Sequence, residues 1–152
     1  MHNLFTDLLK GKTVFVGVGN TLRGDDGLGP FMVELLKERG VSSCINAGEV
    51  PENYFGNIVR ENPDTVVIID AVQLFYEPGA YRVLSEEEIL ETGFSTHTLS
   101  PVLFMRRLRE VIDGDIFLLG IQPLHIEFGE GLSHEVEQSL HELVRMIVEA
   151  CS

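Results

Sequence analysis

Cysteine is scarce in this chain of 152 residues: only Cys44 and Cys151 occur, and they form no C-x-x-C pair. That excludes a disulfide framework, argues against a closed structural zinc site, and makes a reducing cytoplasm the expected setting. Long apolar runs are missing too, none approaching the roughly 20 residues that cross a bilayer, so membrane insertion is not expected. The opening stretch Met1-His2-Asn3-Leu4-Phe5-Thr6-Asp7 has no basic region and no small-residue cleavage site, so no signal peptide is expected. Basic side chains are few. Eleven Lys and Arg against 24 Asp and Glu leave a formal charge of −13. A surface this negative repels phosphate backbones and argues against nucleic acid, while it accommodates cations and basic protein surfaces. The same acidity also serves plain solubility.

What remains is ordinary globular material, 44% hydrophobic and 23% charged. No repeat, low-complexity tract or linker divides it, and its length suits one domain over 1–152. Apolar β-rich runs alternate with helical patterns. Lys12–Val18, Ser43–Ala47, Thr65–Asp70, Tyr81–Leu84 and Asp115–Ile121 read as strands. Pro30–Arg39 reads as a helix stopped by Gly40, and Pro51–Asn62 as a helix halted before Pro63. Ser85-Glu86-Glu87-Glu88 matches a capping box. Pro101 to about Ile112 reads as a helix with Leu103, Phe104, Leu108 and Val111 on one stripe. A last helix, capped by Ser133, repeats Val136, Leu140, Leu143, Val144, Ile147 and Val148 at helical spacing. The alternation predicts an α/β fold in three layers: a twisted, mainly parallel (mixed) sheet of about five strands with helices on both faces. Tyr81–Leu84 comes too soon for a helical crossover and is expected to pair antiparallel. Ligands of such sheets bind outside the carboxyl ends of the strands, so the loops after Val18, Ile69 and Ile121 are the places where a site is expected.

The first strand runs into Gly17-Val18-Gly19-Asn20-Thr21-Leu22-Arg23-Gly24-Asp25-Asp26-Gly27-Leu28-Gly29-Pro30. A dinucleotide-binding loop wants a third glycine where Leu22 stands, and few carboxylates where Asp25 and Asp26 stand. Asp70 closes an apolar strand, and His97 precedes a helix. Singly, each is an ordinary cap or turn residue. Together, Asp26, Asp70 and His97 offer two carboxylates and an imidazole with positions left open, a set that suits a divalent first-row metal able to accept water or substrate. The residues alone leave both readings standing. Asp25 reads as a helix cap or as a partner or base beside that set. Asn20 and Arg23 are candidates to hold a substrate backbone. His125, His134 and His141 read as surface residues. No G-x-S-x-G elbow is present, and Cys44 lacks motif-like surroundings, so a covalent nucleophile is not expected.

The run Gly19-Asn20-x-Leu22-x-x-Asp25-Asp26-Gly27-x-Gly29 resembles the N-terminal signature of the hydrogenase maturation endopeptidases. Ile69-Asp70-Ala71 resembles their second motif, and Thr96-His97 with Ser100-Pro101 shortly after it resembles the third. Pro51-Glu52-Asn53 and Phe117-Leu118-Leu119-Gly120-Ile121-Gln122-Pro123 resemble the branch serving formate-hydrogenlyase-type hydrogenases, with Val50 where a smaller residue is more usual. The resemblance spans about Thr13 to Val148. It implies an enzyme that cuts a C-terminal extension from the nickel-loaded large-subunit precursor of a [NiFe] hydrogenase. It further implies that Asp26, Asp70 and His97 are both metal-binding and catalytic, that the metal is nickel (supplied by the substrate, or replaced by other divalent cations), and that the protein is a monomer. Two mechanisms stay open. A metal held by the triad polarises the scissile carbonyl and acidifies a water, or the metal is only a recognition handle and one aspartate acts as general base, an aspartic-type peptidase. The alternative function is a chaperone that holds nickel or the precursor without cutting.

Overall fold

The structure, a computed structural model, describes residues 3–96, 101–129 and 131–152. The helices are α1 (Leu4–Leu8), α2 (Leu28–Glu38), α3 (Phe55–Arg60), α4 (Glu86–Thr92), α5 (Pro101–Arg109) and α6 (His134–Cys151). The strands are β1 (Thr13–Val18), β2 (Cys44–Gly48), β3 (Thr65–Gln73), β4 (Tyr81–Leu84), β5 (Ser95–Thr96) and β6 (Asp115–Ile121).

The sheet runs in the order β2-β1-β3-β6-β4. The pairs β1–β2, β1–β3 and β3–β6 are parallel, and β4 is antiparallel to β6, as expected. The two-residue β5 pairs antiparallel with the far end of β3, Val72 opposite Thr96. Both faces are covered. Phe15, Val67 and Ile69 share one core with α1, α2 and α6, while Val14, Ile68 and Val72 share the other with α3, α4 and α5. β3 is the central strand, and all eight of its residues from Thr65 to Val72 are buried. Each fully buried Val or Ile there stabilises the fold by about 1.5–3 kcal/mol relative to exposure. Chain order reverses between β1 and β3, since one crossover leads to β2 on one side and the next leads back past β1. A crevice opens at such a switch point, beyond the carboxyl ends of the two strands.

Several elements depart from the sequence reading. The segment from Pro51 begins as a 3-10 turn, Pro51–Tyr54, and becomes α-helical only from Phe55. β3 continues three residues past Asp70. α5 ends at Arg109, short of the expected Ile112, and the stripe expected for this segment is only partly inward. Phe104 and Leu108 are buried as expected, but Leu103 and Val111 are exposed, and Val102, Met105 and Ile112 take the inward places. The five inward positions 102, 104, 105, 108 and 112 obey helical spacing as well as the expected set does, so periodicity alone does not choose between them.

Candidate functional site at the carboxyl edge of the sheet

β1 hands the chain to a loop whose course depends on absent side chains. Gly19 has φ +146°, and a Cβ there would overlap the Asp26 carbonyl oxygen. A Cβ on Gly17 would strike the carbonyl of Gly29, and one on Gly29 would strike the carbonyls of Val18 and Ile69. The start of α2 therefore sits directly on the ends of β1 and β3. Asp26 lies one turn before Gly29, and Asp70 comes directly after Ile69, so packing brings both to one rim of the sheet. That rim is the switch-point crevice.

Asp25 and Asp26 lie in a 3-10 turn, Gly24–Gly27, and both are buried. Their surroundings differ. Asp25 is saturated: its Oδ2 accepts from the N–H groups of Leu124 (2.9 Å) and His125 (3.2 Å) and from the Ser133 hydroxyl (2.8 Å), and its Oδ1 accepts from the Ser133 N–H (2.7 Å). The expected cap for α2 is not what Asp25 supplies, because no side chain caps that helix. Asp25 instead ties the loop after β1 to the loop after β6 and to the start of α6. Ser133 likewise spends its hydroxyl on Asp25 rather than capping α6. Asp26 accepts one bond on Oδ2, from the Asn20 N–H at 3.0 Å. Its Oδ1 is buried with no hydrogen-bond partner among the described residues. A buried anionic oxygen left bare is costly unless a cation or a proton donor meets it. That orphan oxygen fits a metal ligand or a base for a bound water.

Asp70 is buried in β3 opposite Gly120 of β6, and its Oδ1 accepts from the Ala71 N–H at 2.8 Å. Strand alternation puts it on the face shared by Ile68 and Val72, toward the layer of α3, α4 and α5. β5 lies on the same stretch, pairing with Val72 and Gln73, and it leads directly into His97. His97 itself lies outside the described residues. The structure thus brings Asp26 and Asp70 to one edge and leads the chain there just ahead of His97. Among the described residues no group of three metal-capable side chains converges.

Asn20 braces the loop, its Oδ1 accepting from the Leu22 N–H at 2.9 Å, and Arg23 is exposed. His125 is exposed in its ring, although its carbonyl accepts from the Asp25 N–H at 2.9 Å. His134 and His141 are exposed. One rim residue escaped the sequence reading. Gln122 is buried at the end of β6, and its Oε1 accepts from the N–H groups of Leu74 (2.7 Å) and Tyr76 (3.4 Å), fixing the turn after β3. The available signal was an uncharged polar side chain at the end of an apolar strand, which must find partners when buried.

The family model described as HycI, hydrogenase maturation protease, matches residues 31–150. A Methanocaldococcus jannaschii protein assigned to the hydrogenase maturation proteases is 35% identical over 98% of this chain and 95% of its own. The hydrogenase 3 maturation protease of Escherichia coli is 30% identical over 84% of this chain and 83% of its own. The crystal structure of a [NiFe] hydrogenase maturation protease HycI from Thermococcus kodakarensis superimposes with a TM-score of 0.86 at 32% identity, covering 97% of each chain.

Proposed function

The chain belongs to the hydrogenase maturation protease family, and from that premise we propose that it removes the C-terminal extension of the nickel-loaded large-subunit precursor of a [NiFe] hydrogenase. The observation that carries the reading is the buried Oδ1 of Asp26, without a partner among the described residues, at the sheet edge where Asp70 also lies. Family membership favours cutting over merely holding the precursor. Among the described residues no helix is long and apolar enough to cross a membrane. In this reading the enzyme works in the cytoplasm as a monomer, on a precursor made there.

Nickel belongs to the precursor in this reading. Asp70 and His97 would hold it, leaving Asp26 free beside them, and its charge would polarise the scissile carbonyl. The chain's own part is to position and to move protons. The loop held by Gly19 and Asn20 presents Asp26 Oδ1 to a water, and the carboxylate takes the proton as the water oxygen attacks the carbonyl carbon. The C–N bond then breaks and the same proton passes to the leaving nitrogen. Burial of both aspartates excludes bulk water, so their charges act in a medium of low polarity.

The test is to incubate the protein with a nickel-loaded precursor and record the precursor's mass. Loss of the C-terminal peptide supports the reading, and stable binding with unchanged mass favours the chaperone. Asp70→Ala and His97→Ala should lower processing by at least about a hundredfold. Native-rate cleavage by Asp70→Ala would overturn the site.

A further inference from the structure

Phe75 is held in a conformation its side chain disfavours, with its ring in water. Its φ is +61°, in the left-handed region that Cβ-bearing residues avoid, and it is 79% exposed. The other non-glycine residue there among the described residues is Asn62, a type that adopts the region readily. Neither oddity at Phe75 helps the fold. The turn is nonetheless built to keep it: the Phe75 N–H donates to Gln73 Oε1 at 2.9 Å, and buried Gln122 grips Leu74 and Tyr76 on either side. Tyr76 packs edge-on against Phe94 (6.2 Å between ring centres), just ahead of β5 and His97. Backbone strain kept by surrounding structure is a mark of a working site.

The position is equally telling. Phe75 lies five residues beyond Asp70, at the carboxyl end of the same chain stretch. Other exposed apolar side chains stand at the same edge: Leu22 after β1, Val50 after β2, and Leu124 and Phe128 (83% exposed) after β6. The Gly129 N–H donates to the Leu22 carbonyl at 2.8 Å, which sets Phe128 beside the β1 loop. Exposed glutamates accompany them, Glu49 and Glu52 around Val50, Glu77 beside Tyr76 and Glu127 beside Phe128. Among the described residues of these four loops one exposed arginine, Arg23, stands against them. An apolar rim flanked by negative charge suits a partner that pairs apolar with basic side chains. It lies along the carboxyl edge of the sheet, the edge that also carries Asp26 and Asp70.

We propose that Phe75 is the apolar anchor on which the large-subunit precursor docks, through an apolar side chain flanked by basic residues next to its extension. This rests on the function proposed above. Buried aromatic anchors carry a disproportionate share of interface affinity.

The test compares wild type, Phe75→Asn and Phe75→Leu on the nickel-loaded precursor. Asparagine tolerates the left-handed turn, so Phe75→Asn should unfold at the same or a higher temperature. Its KM should rise at least about tenfold with kcat within about twofold, and Phe75→Leu should recover most of the loss. An unchanged KM, or a fall in kcat alone, overturns the proposal. So does a lowered unfolding temperature with parallel loss in both constants, which marks a structural turn residue. If wild type leaves the precursor uncut, the proposed function fails and Phe75 is judged by precursor binding: weaker binding by Phe75→Asn supports the anchor, and equal affinity refutes it. A wild-type dimer in sedimentation that Phe75→Asn converts to monomer identifies a second copy as the occupant and also refutes it.

Discussion

Two adjacent carboxylates have opposite fates in this fold. Asp25 satisfies four donors from residues about a hundred positions away, while one oxygen of Asp26 meets no partner among the described residues. The contrast predicts a crossed pattern of effects. Asp25→Ala removes four partly buried hydrogen bonds at once and should lower unfolding free energy by about 3 kcal/mol. Asp26→Asn removes a poorly compensated buried charge while still accepting from Asn20, so its stability in urea should equal or exceed wild type. Its processing should nevertheless fall by at least about a hundredfold. A reversal of the two stability effects would refute the assignment of roles. Asp26 and Asp70 stand out in the sequence as carboxylates that accompany apolar strand runs, Asp26 in the loop after β1 and Asp70 within β3, and the fold brings both toward the carboxyl edge of the sheet. The role of Asp25 was not legible in the sequence, because its partners Leu124, His125 and Ser133 are near only once the sheet is formed. Gln122 escaped for the same reason.

Elements were easier to read than contacts. Strands with apolar runs, the Gly40 stop, the Ser85 capping box and the inward stripe of α6 all sit where local chemistry requires. Failures came where two local rules compete. Pro51 opens a turn that local preference cannot tell from a full helix, and α5 offers two equally periodic stripes. The contact between α2 and the sheet is the most demanding at this scale. Gly29→Ala forces backbone against backbone at Ile69 and Val18, so helix and strands must part, at a cost of about 3 kcal/mol. Gly40→Ala meets open space, and only its φ of +87° is penalised, at about 1 kcal/mol. Urea unfolding of both variants checks the order, with the midpoint shifting and the slope unchanged. Equal losses would mean that the close approach carries no special weight.

Across the molecule, the two thiols play no part in the crevice, and burial shapes their chemistry. Burial pushes the Cys44 thiol from 9.0 up to about 11, the strongest influence on it, while Lys37 pulls it down. The folded state thus holds this proton more tightly than the unfolded chain. The contribution is intact below about pH 9 and is lost as pH rises toward about 11. Unfolding midpoints of wild type and Cys44→Ala, measured across that window, should converge as pH rises, the wild type declining more steeply. Parallel curves would refute the shift. The formal charge of −13 acts over the same molecule. It disperses copies of the chain and draws in basic partners without favouring any one fold.

Asp25 also sets a schedule. Its partners at Leu124, His125 and Ser133 are synthesised about a hundred residues after it. A nascent chain that has already paired β1 with β3 still has an aspartate with nothing to hold. The loop after β1 takes its final shape only once those later residues have been made, so a copy that lacks them presents Asp26 on an unfinished frame.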